Sequence, residues 1–177
     1  MNKEQLNECI VLYGKDVFSF CRQIAVSHEE AEDLYQDTFL KAMELSEKIK
    51  YEENPKSYLI SIALRLWKNK KRKFAWRDRI AGTDTIDEFT EKRTLYLVEN
   101  PVEEEVLKGD LNEQVRREVG AMEEKYRIPL ILFYSSELSH AEISEIMGIP
   151  TGTVKSRLHK AKELLRERLE VYYYCEA

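Results

Sequence analysis

The side chains best suited to chemistry lie in one run near the C-terminus, and the chemistry they suit is hydrogen bonding to nucleic acid. Cationic side chains neutralise phosphates, while hydroxyl, imidazole and ammonium groups donate hydrogen bonds to base edges. The free backbone N–H groups at the start of a helix also favour a phosphate. The candidates combine these donors in one short segment; they are Thr151, Gly152, Thr153, Lys155, Ser156, Arg157, His159 and Lys160.

Two helices joined by a tight turn are predicted to position these candidates. Gly148 ends the first helix because glycine readily adopts positive φ, and the second begins at Pro150 and Thr151. Apolar residues recur along the second helix at i, i+4, i+7 and i+11 and so share one face: Val154, Leu158, Ala161 and Leu165. The pattern indicates a helix-turn-helix with a basic outer face. A hydrated helical hairpin whose lysines only maintain solubility fits the same pattern.

The run ELSHAEISEIMGIPTGTVKSRLHKAKELL, which contains both helices, resembles the second promoter-binding domain of the extracytoplasmic-function sigma factors of bacterial RNA polymerase. This resemblance favours DNA binding over the hydrated hairpin. It implies that the candidates of the second helix bind the −35 element of a promoter.

An acidic helix is predicted near the N-terminus. Ser27 and Glu30 have the spacing of a capping box, and several acids lie in the first turn, where the helix dipole stabilises negative charge. The run AEDLYQDTFLKAM resembles the sigma-factor segment that docks on the clamp of the largest polymerase subunit. The resemblance implies a docking surface made of Glu32, Asp33, Gln36, Asp37 and Phe39. An ordinary acidic amphipathic helix is the alternative.

A third predicted helix, from Lys56 to about Arg79, ends in a basic and aromatic half. Lysine and arginine bind phosphates, and aromatic rings stack on unpaired bases, so Trp67, Phe74 and Trp76 suit melted DNA. The alternative is a hydrated basic end with its aromatic side chains in the core.

The run SYLISIALRLWKNKKRK resembles the helix with which these sigma factors read the −10 element. The resemblance implies −10 contacts by Arg65, Lys68, Asn69, Lys71, Arg72, Lys73 and Trp76. Arg65 stands where the family usually has Asn, and Asn69 where it usually has Asp, so the −10 sequence does not carry over. By the same resemblance, the loop 46–56 receives a flipped −10 base.

Composition and charge predict an all-α chain of two small domains, 1–79 and 111–177, joined by an acidic linker at 80–110. The formal net charge of −5 is unevenly distributed, because residues 57–79 carry eight bases and one acid. Residues 80–110 instead carry nine acids and three bases. This separation of basic and acidic segments predicts at least two charged partners of opposite sign, or one partner with two faces. The resemblance implies that the linker threads toward the polymerase active-site cleft; a hydrated tether is the alternative.

No pattern typical of an enzyme is present. The chain contains no phosphate-binding loop and no H-E-x-x-H, and its three cysteines lack the spacing of a metal site. We therefore expect no catalytic residue, cofactor or metal. No long apolar run or secretory signal is present, which predicts a cytoplasmic protein without membrane insertion.

The resemblance implies a sigma factor that binds core RNA polymerase, recognises the −35 and −10 elements and helps to melt promoter DNA. The implied partners are the clamp of the largest subunit, the flap of the second, promoter DNA and an anti-sigma factor. One alternative is a helix-turn-helix regulator that binds palindromic DNA as a dimer. Another is a recombinase or nuclease, although residues 1–100 offer no credible nucleophile or metal cluster.

Overall fold

The computed structural model describes residues 3–45, 54–81, 94, 96 and 109–175. These residues form helices without a strand, which confirms the predicted all-α class. The chain divides into two compact units, Met1–Asp87 and Glu88–Ala177, which we call the N-terminal and C-terminal units. The helices are α1 (Lys3–Ile24), α2 (His28–Glu44), α3 (Pro55–Ala81), α4 (Gly109–Ala121), α5 (Glu124–Tyr134), α6 (His140–Met147) and α7 (Thr151–Cys175).

In the N-terminal unit, α1, α2 and α3 pack against one another around an apolar core. Apolar side chains spaced by three and four residues supply one stripe from each helix. The largest fully buried side chains of this core are Val17, Phe20, Ile24, Leu59, Ile60, Leu64 and Trp67. A salt bridge of 2.9 Å between Lys56 Nζ and Asp16 Oδ2 also joins the start of α3 to α1.

Local capping sets where α2 and α3 begin. The Ser27 hydroxyl accepts a hydrogen bond from the Glu30 amide, as predicted, but the Glu30 carboxylate accepts from the Val26 amide at 2.8 Å instead of from Ser27. The Asn54 side chain accepts from the Ser57 amide, and Pro55 is the first residue of α3. Both starts follow from side chains that satisfy free amides of a first turn.

In the C-terminal unit, α7 contacts α4, α5 and α6. Its core contains Met122, Ile128, Leu132, Ile143, Val154, Leu158 and Ala161. Glu118 of α4 and Arg168 of α7 form an ion pair of 3.1 Å. These contacts make α7 the central helix of the unit.

Pro129 lies inside α5, although local rules place proline in the first turn of a helix. Proline has no amide hydrogen, so α5 lacks the hydrogen bond to the Lys125 carbonyl. The helix nevertheless continues, because both neighbours, Ile128 and Leu130, are buried. Burial of apolar side chains outweighs one missing backbone hydrogen bond.

Several predictions fall outside the described residues. These are the base-binding loop, apart from its end at residues 54–56, and nearly all of the linker at 80–110. α3 extends to Ala81 and α4 begins at Gly109, so the two helices reach just into the predicted linker. Within the described ranges, no helix is long and apolar enough to cross a membrane. The same ranges contain no cluster of three or more His, Cys, Asp or Glu side chains that could hold a metal.

Candidate nucleic-acid interface

The helix-turn-helix is made by α6 and α7, and both ends of α6 are capped. The Ser139 hydroxyl accepts from the Glu142 amide, while the Glu142 carboxylate accepts from the Ser139 amide at 2.8 Å. This is a complete capping box. At the other end Gly148 has φ 65°, the left-handed conformation predicted for it.

Reciprocal hydrogen bonds between Ser144 and Ile149 close the turn. The Ile149 amide donates to the Ser144 carbonyl at 3.2 Å, and the Ser144 hydroxyl donates to the Ile149 carbonyl at 2.6 Å. Two bonds between one pair of residues restrict the angle at which α7 leaves α6. The turn therefore presents α7 in a defined orientation.

The start of α7 differs in one respect from the expected anion site. The amides of Thr153 and Val154 both donate to the Pro150 carbonyl, at 2.8 and 3.1 Å. Thr153 therefore cannot offer a free amide to a phosphate, as the sequence had suggested. Its contribution to an interface is limited to its half-buried side chain.

Burial along α7 separates an inner face from an outer one. Val154 and Ala161 are fully buried and Leu158 is 3% exposed, as their spacing predicted. Thr153 and Arg157 are half-buried. The remaining candidates are exposed and share the outer part of the helix; they are Thr151, Gly152, Lys155, Ser156, His159 and Lys160.

One acidic side chain on α7 was missed by sequence reasoning. Glu163 Oε2 lies 3.2 Å from Lys160 Nζ, and Glu163 Oε1 lies 3.6 Å from His159 Nε2. The hydrogen bond from Lys160 lowers the pKa of Glu163, with smaller contributions from the charges of Lys160, His159 and Arg166. The spacing of three and four residues between base and acid could have revealed these pairs.

The basic half of α3 is exposed, but only two of the three aromatic side chains considered for stacking are exposed with it. Trp76 and Phe74 are 60% and 50% exposed, whereas Trp67 is 1% exposed and belongs to the core. Trp67 therefore cannot stack on a base, and Lys71, half-buried, lies 5.2 Å above its ring. The other −10 candidates on α3 are all exposed: Arg65, Lys68, Asn69, Arg72 and Lys73.

The acidic face of α2 presents four of the five expected docking residues to solvent: Glu32, Asp33, Gln36 and Asp37. Phe39 is only 8% exposed, and its ring meets the Tyr35 ring edge-on at 5.0 Å. Phe39 is therefore a core residue, and the expectation that it forms an exposed docking contact is corrected. Its role is to hold α2 in place.

Two features of α2 were not predicted individually. Leu40 and Met43 are apolar and at least half exposed. Asp33 lies 3.9 Å from Lys70 Nζ of α3, so the acidic face also contacts the basic helix. At such exposure the pair contributes little to stability.

These surfaces define a class of protein: an all-helical nucleic-acid-binding protein with a helix-turn-helix in one unit and a basic helix in the other. The N-terminal unit matches the family Sigma-70 region 2 over residues 9–77. The C-terminal unit matches Sigma-70 region 4 over residues 112–165. Together these two matches cover about two thirds of the chain.

Two relatives are similar over nearly the whole chain. The chain is 27% identical over 174 residues to the ECF RNA polymerase sigma factor SigW of Bacillus subtilis, which covers 95% of this chain and 90% of SigW. It is 26% identical over 171 residues to the ECF RNA polymerase sigma-E factor of Escherichia coli K12, covering 96% and 88% of the two chains.

Solved structures show the same fold. The Bartonella quintana sigma factor RpoE, in complex with the anti-sigma factor NepR, has a TM-score of 0.76 at 22% identity, covering 93% of this chain and 96% of that chain. CnrH, in complex with the cytosolic domain of CnrY, has a TM-score of 0.64 at 16% identity. The chain belongs to the extracytoplasmic-function sigma factors, the promoter-recognising subunits of bacterial RNA polymerase.

Proposed function

We propose that the outer face of α7 reads the −35 element as closed duplex. The support is the arrangement of the helix-turn-helix, in which a capped α6 and a hydrogen-bonded turn present an exposed row of donors. A helix presented in this way fits the major groove, where hydroxyl, ammonium and imidazole groups distinguish base edges. This exposed row is the observation on which the proposal chiefly rests.

We propose that the basic half of α3 binds the −10 element after the strands separate. Its exposed lysines and arginines suit the phosphate backbone, and Trp76 supplies an exposed ring for stacking on an unpaired base. Strand separation costs free energy, and a site that binds only unpaired bases shifts the equilibrium toward the open form.

We propose that the exposed acids of α2 dock on the clamp of the largest polymerase subunit, with Asp37 and Glu32 at the surface and Phe39 supporting them from the core. An acidic patch is attracted to a basic partner and increases the rate of its association. The C-terminal unit is proposed to contact the flap of the second subunit. We propose that the chain acts in the cytoplasm, where core polymerase and the chromosome lie.

We propose that the chain acts through binding alone. Sigma factors are transcription initiation factors, and the proposals above assign a binding role to each exposed charged surface. Two of the similar solved structures are complexes, of RpoE with the anti-sigma factor NepR and of CnrH with the cytosolic domain of CnrY. A protein of the same kind is proposed to regulate this chain.

Run-off transcription tests the proposal. Purified core polymerase is combined with a genomic fragment library, with and without the chain, and the RNA 5′ ends are mapped. We expect discrete start sites that require the chain and share two upstream elements. Start sites that do not depend on the chain would contradict the proposal. Tight binding to palindromic duplex without polymerase would instead support a dimeric helix-turn-helix regulator.

A further inference from the structure

Glu163 is the acidic side chain of α7 that contacts two of the proposed DNA-binding residues. Its two carboxylate oxygens face different partners, with Lys160 Nζ 3.2 Å from Oε2 and His159 Nε2 3.6 Å from Oε1. The Glu163 side chain is 35% exposed, against 77% for His159. The Glu163 side chain is therefore less exposed to solvent than the two side chains it contacts.

Glu163 remains ionised at neutral pH, because its neighbours lower the pKa of the carboxyl group. A negative charge beside a DNA-binding surface repels phosphate, so it weakens binding to any DNA sequence. Glu163 has no role in the proposed contacts to bases or phosphates. Its position between two proposed contact residues therefore needs a different explanation.

We propose that Glu163 is a positioning residue that increases the sequence specificity of α7 by holding Lys160 and His159 and by weakening the attraction of this surface to phosphates in general. This inference rests on the proposed function, because it takes Lys160 and His159 as −35 contacts.

Two physical effects act in the same direction. A free lysine side chain loses rotamer entropy when it binds, and a lysine that is already held by Glu163 loses less of it on reaching its base. Nonspecific complexes depend mainly on phosphate attraction, which the negative charge of Glu163 reduces. Specific binding is therefore favoured over nonspecific binding, and the ratio of the two affinities determines promoter selection.

Three variants separate these effects. Glu163→Gln removes the charge and keeps the size of the side chain. Glu163→Asp keeps the charge but shortens the reach to Lys160. Glu167→Gln is the matched control, because Glu167 is exposed one turn further along α7 and makes no ion pair with the described residues.

The experiment measures the affinity of holoenzyme, assembled from core polymerase and each variant, for two duplexes. One is a promoter obtained from run-off mapping, and the other is the same duplex with its −35 element scrambled. For Glu163→Gln we expect the ratio of the two affinities to fall about three- to tenfold, mainly through tighter binding to the scrambled duplex. Glu163→Asp should keep the wild-type affinity for the scrambled duplex and bind the promoter about threefold more weakly.

Glu167→Gln should leave the ratio near the wild-type value. An unchanged ratio in both Glu163 variants would overturn the inference, as would an equal fall in Glu167→Gln. If the Glu163 variants bound both duplexes more weakly by the same factor, the inference would also be overturned, because Glu163 would then act through the fold. The proposed function fails separately, if wild-type holoenzyme does not distinguish the two duplexes.

Discussion

At the scale of single residues, exposure separates the side chains that can meet DNA from those that only support them. On α7, Lys155 and His159 are exposed, whereas Val154 and Leu158, which directly precede them in sequence, are buried. A helical period of 3.6 residues produces this separation. Substitutions on the outer face should therefore change binding without changing the fold.

The first prediction concerns that outer face. Lys155→Ala combined with His159→Ala should reduce the preference for a −35 element at least tenfold, because each lost base contact costs about 1–3 kcal/mol. Affinity for core polymerase should stay at the wild-type value. Promoter binding and polymerase binding are measured on the same preparation.

Lys125→Ala is the control for this double variant, since Lys125 is an exposed lysine on α5 of the same unit. It should leave promoter selection intact. A loss of polymerase affinity in the double variant, with promoter preference retained, would mean that the recognition surface is wrongly assigned.

The second prediction concerns Cys21, whose burial raises the pKa of its thiol to about 12 from the ordinary value of 9.0. The unfolded chain loses this proton near pH 9, whereas the folded chain retains it. The stabilising contribution is therefore complete below pH 9 and is lost as the pH rises toward 12. At pH 10 the free energy of unfolding should be lower by about 1.4 kcal/mol from this group.

Urea denaturation under reducing conditions at pH 8 and pH 10 measures this effect. Cys21→Ala should be less stable at pH 8, because it leaves a small cavity, yet should lose less stability between the two pH values. Parallel losses in the two proteins would show that Cys21 does not titrate during unfolding.

At the scale of helices and turns, the orientation of α7 depends on a few local conformations. Gly148 holds a positive φ, and a Cβ at this position would meet no atom within 4 Å. The cost of a larger residue there is therefore conformational and not steric. Left-handed backbone costs an L-residue about 1–2 kcal/mol.

The third prediction follows from this comparison. Gly148→Ala should lower the free energy of unfolding of the C-terminal unit by about 1 kcal/mol and weaken promoter binding. Gly152→Ala is the matched control, because Gly152 is helical and equally uncrowded, and alanine should raise stability by up to about 1 kcal/mol. Urea denaturation of both variants tests this, and equal effects would contradict the assigned role of the turn.

The fourth prediction concerns the acidic face of α2. Asp37→Lys should weaken capture of core polymerase about tenfold or more, because it places a like charge against a basic partner. Asp37 is a cleaner test than Asp33, whose replacement would also place two lysines together at Lys70. Competition for core enzyme against an unmodified sigma factor measures the change.

Glu4→Lys makes the same change of charge on an exposed residue of α1 and serves as the control. Its affinity for core polymerase should match that of the wild type. An unchanged affinity for Asp37→Lys would place the docking surface elsewhere.

The sequence predicted elements whose signals are local. Ser27 and Gly148 act within one turn of themselves, so their types and spacing were enough to place helix ends. Phe39 was misjudged because its burial depends on helices that are distant in sequence, whereas the alternative that placed aromatic side chains of α3 in the core holds for Trp67. At Pro129, local rules would end a helix that tertiary packing maintains. The burial of Arg127 could not be predicted, because no residue type or spacing near it indicates a buried guanidinium.

At the scale of the whole molecule, charge is sorted by unit and by helix. The net charge is −5, yet each unit carries one exposed basic helix surface. Long-range attraction to DNA is therefore weak, while attraction at the two surfaces is strong. Binding to a promoter should depend on both surfaces and on the ionic strength.

The fifth prediction uses this arrangement. Lys155→Ala and Lys73→Ala should each reduce the slope of log affinity against log salt by about 1, because each removes one positive charge that displaces counterions from the DNA. In the double variant the slope should fall by about 2, since the two residues lie in different units and their effects add. Holoenzyme titrations with promoter DNA at several salt concentrations provide the slopes.

The two tryptophans of the chain also make it an optical reporter of its own state. Trp67 is enclosed in the core of the N-terminal unit, so its fluorescence should be blue-shifted and protected from a soluble quencher until that unit unfolds. Trp76 is exposed to solvent, so its emission should be red-shifted and readily quenched. One excitation wavelength thus follows folding through one indole and strand capture through the other, without an attached dye.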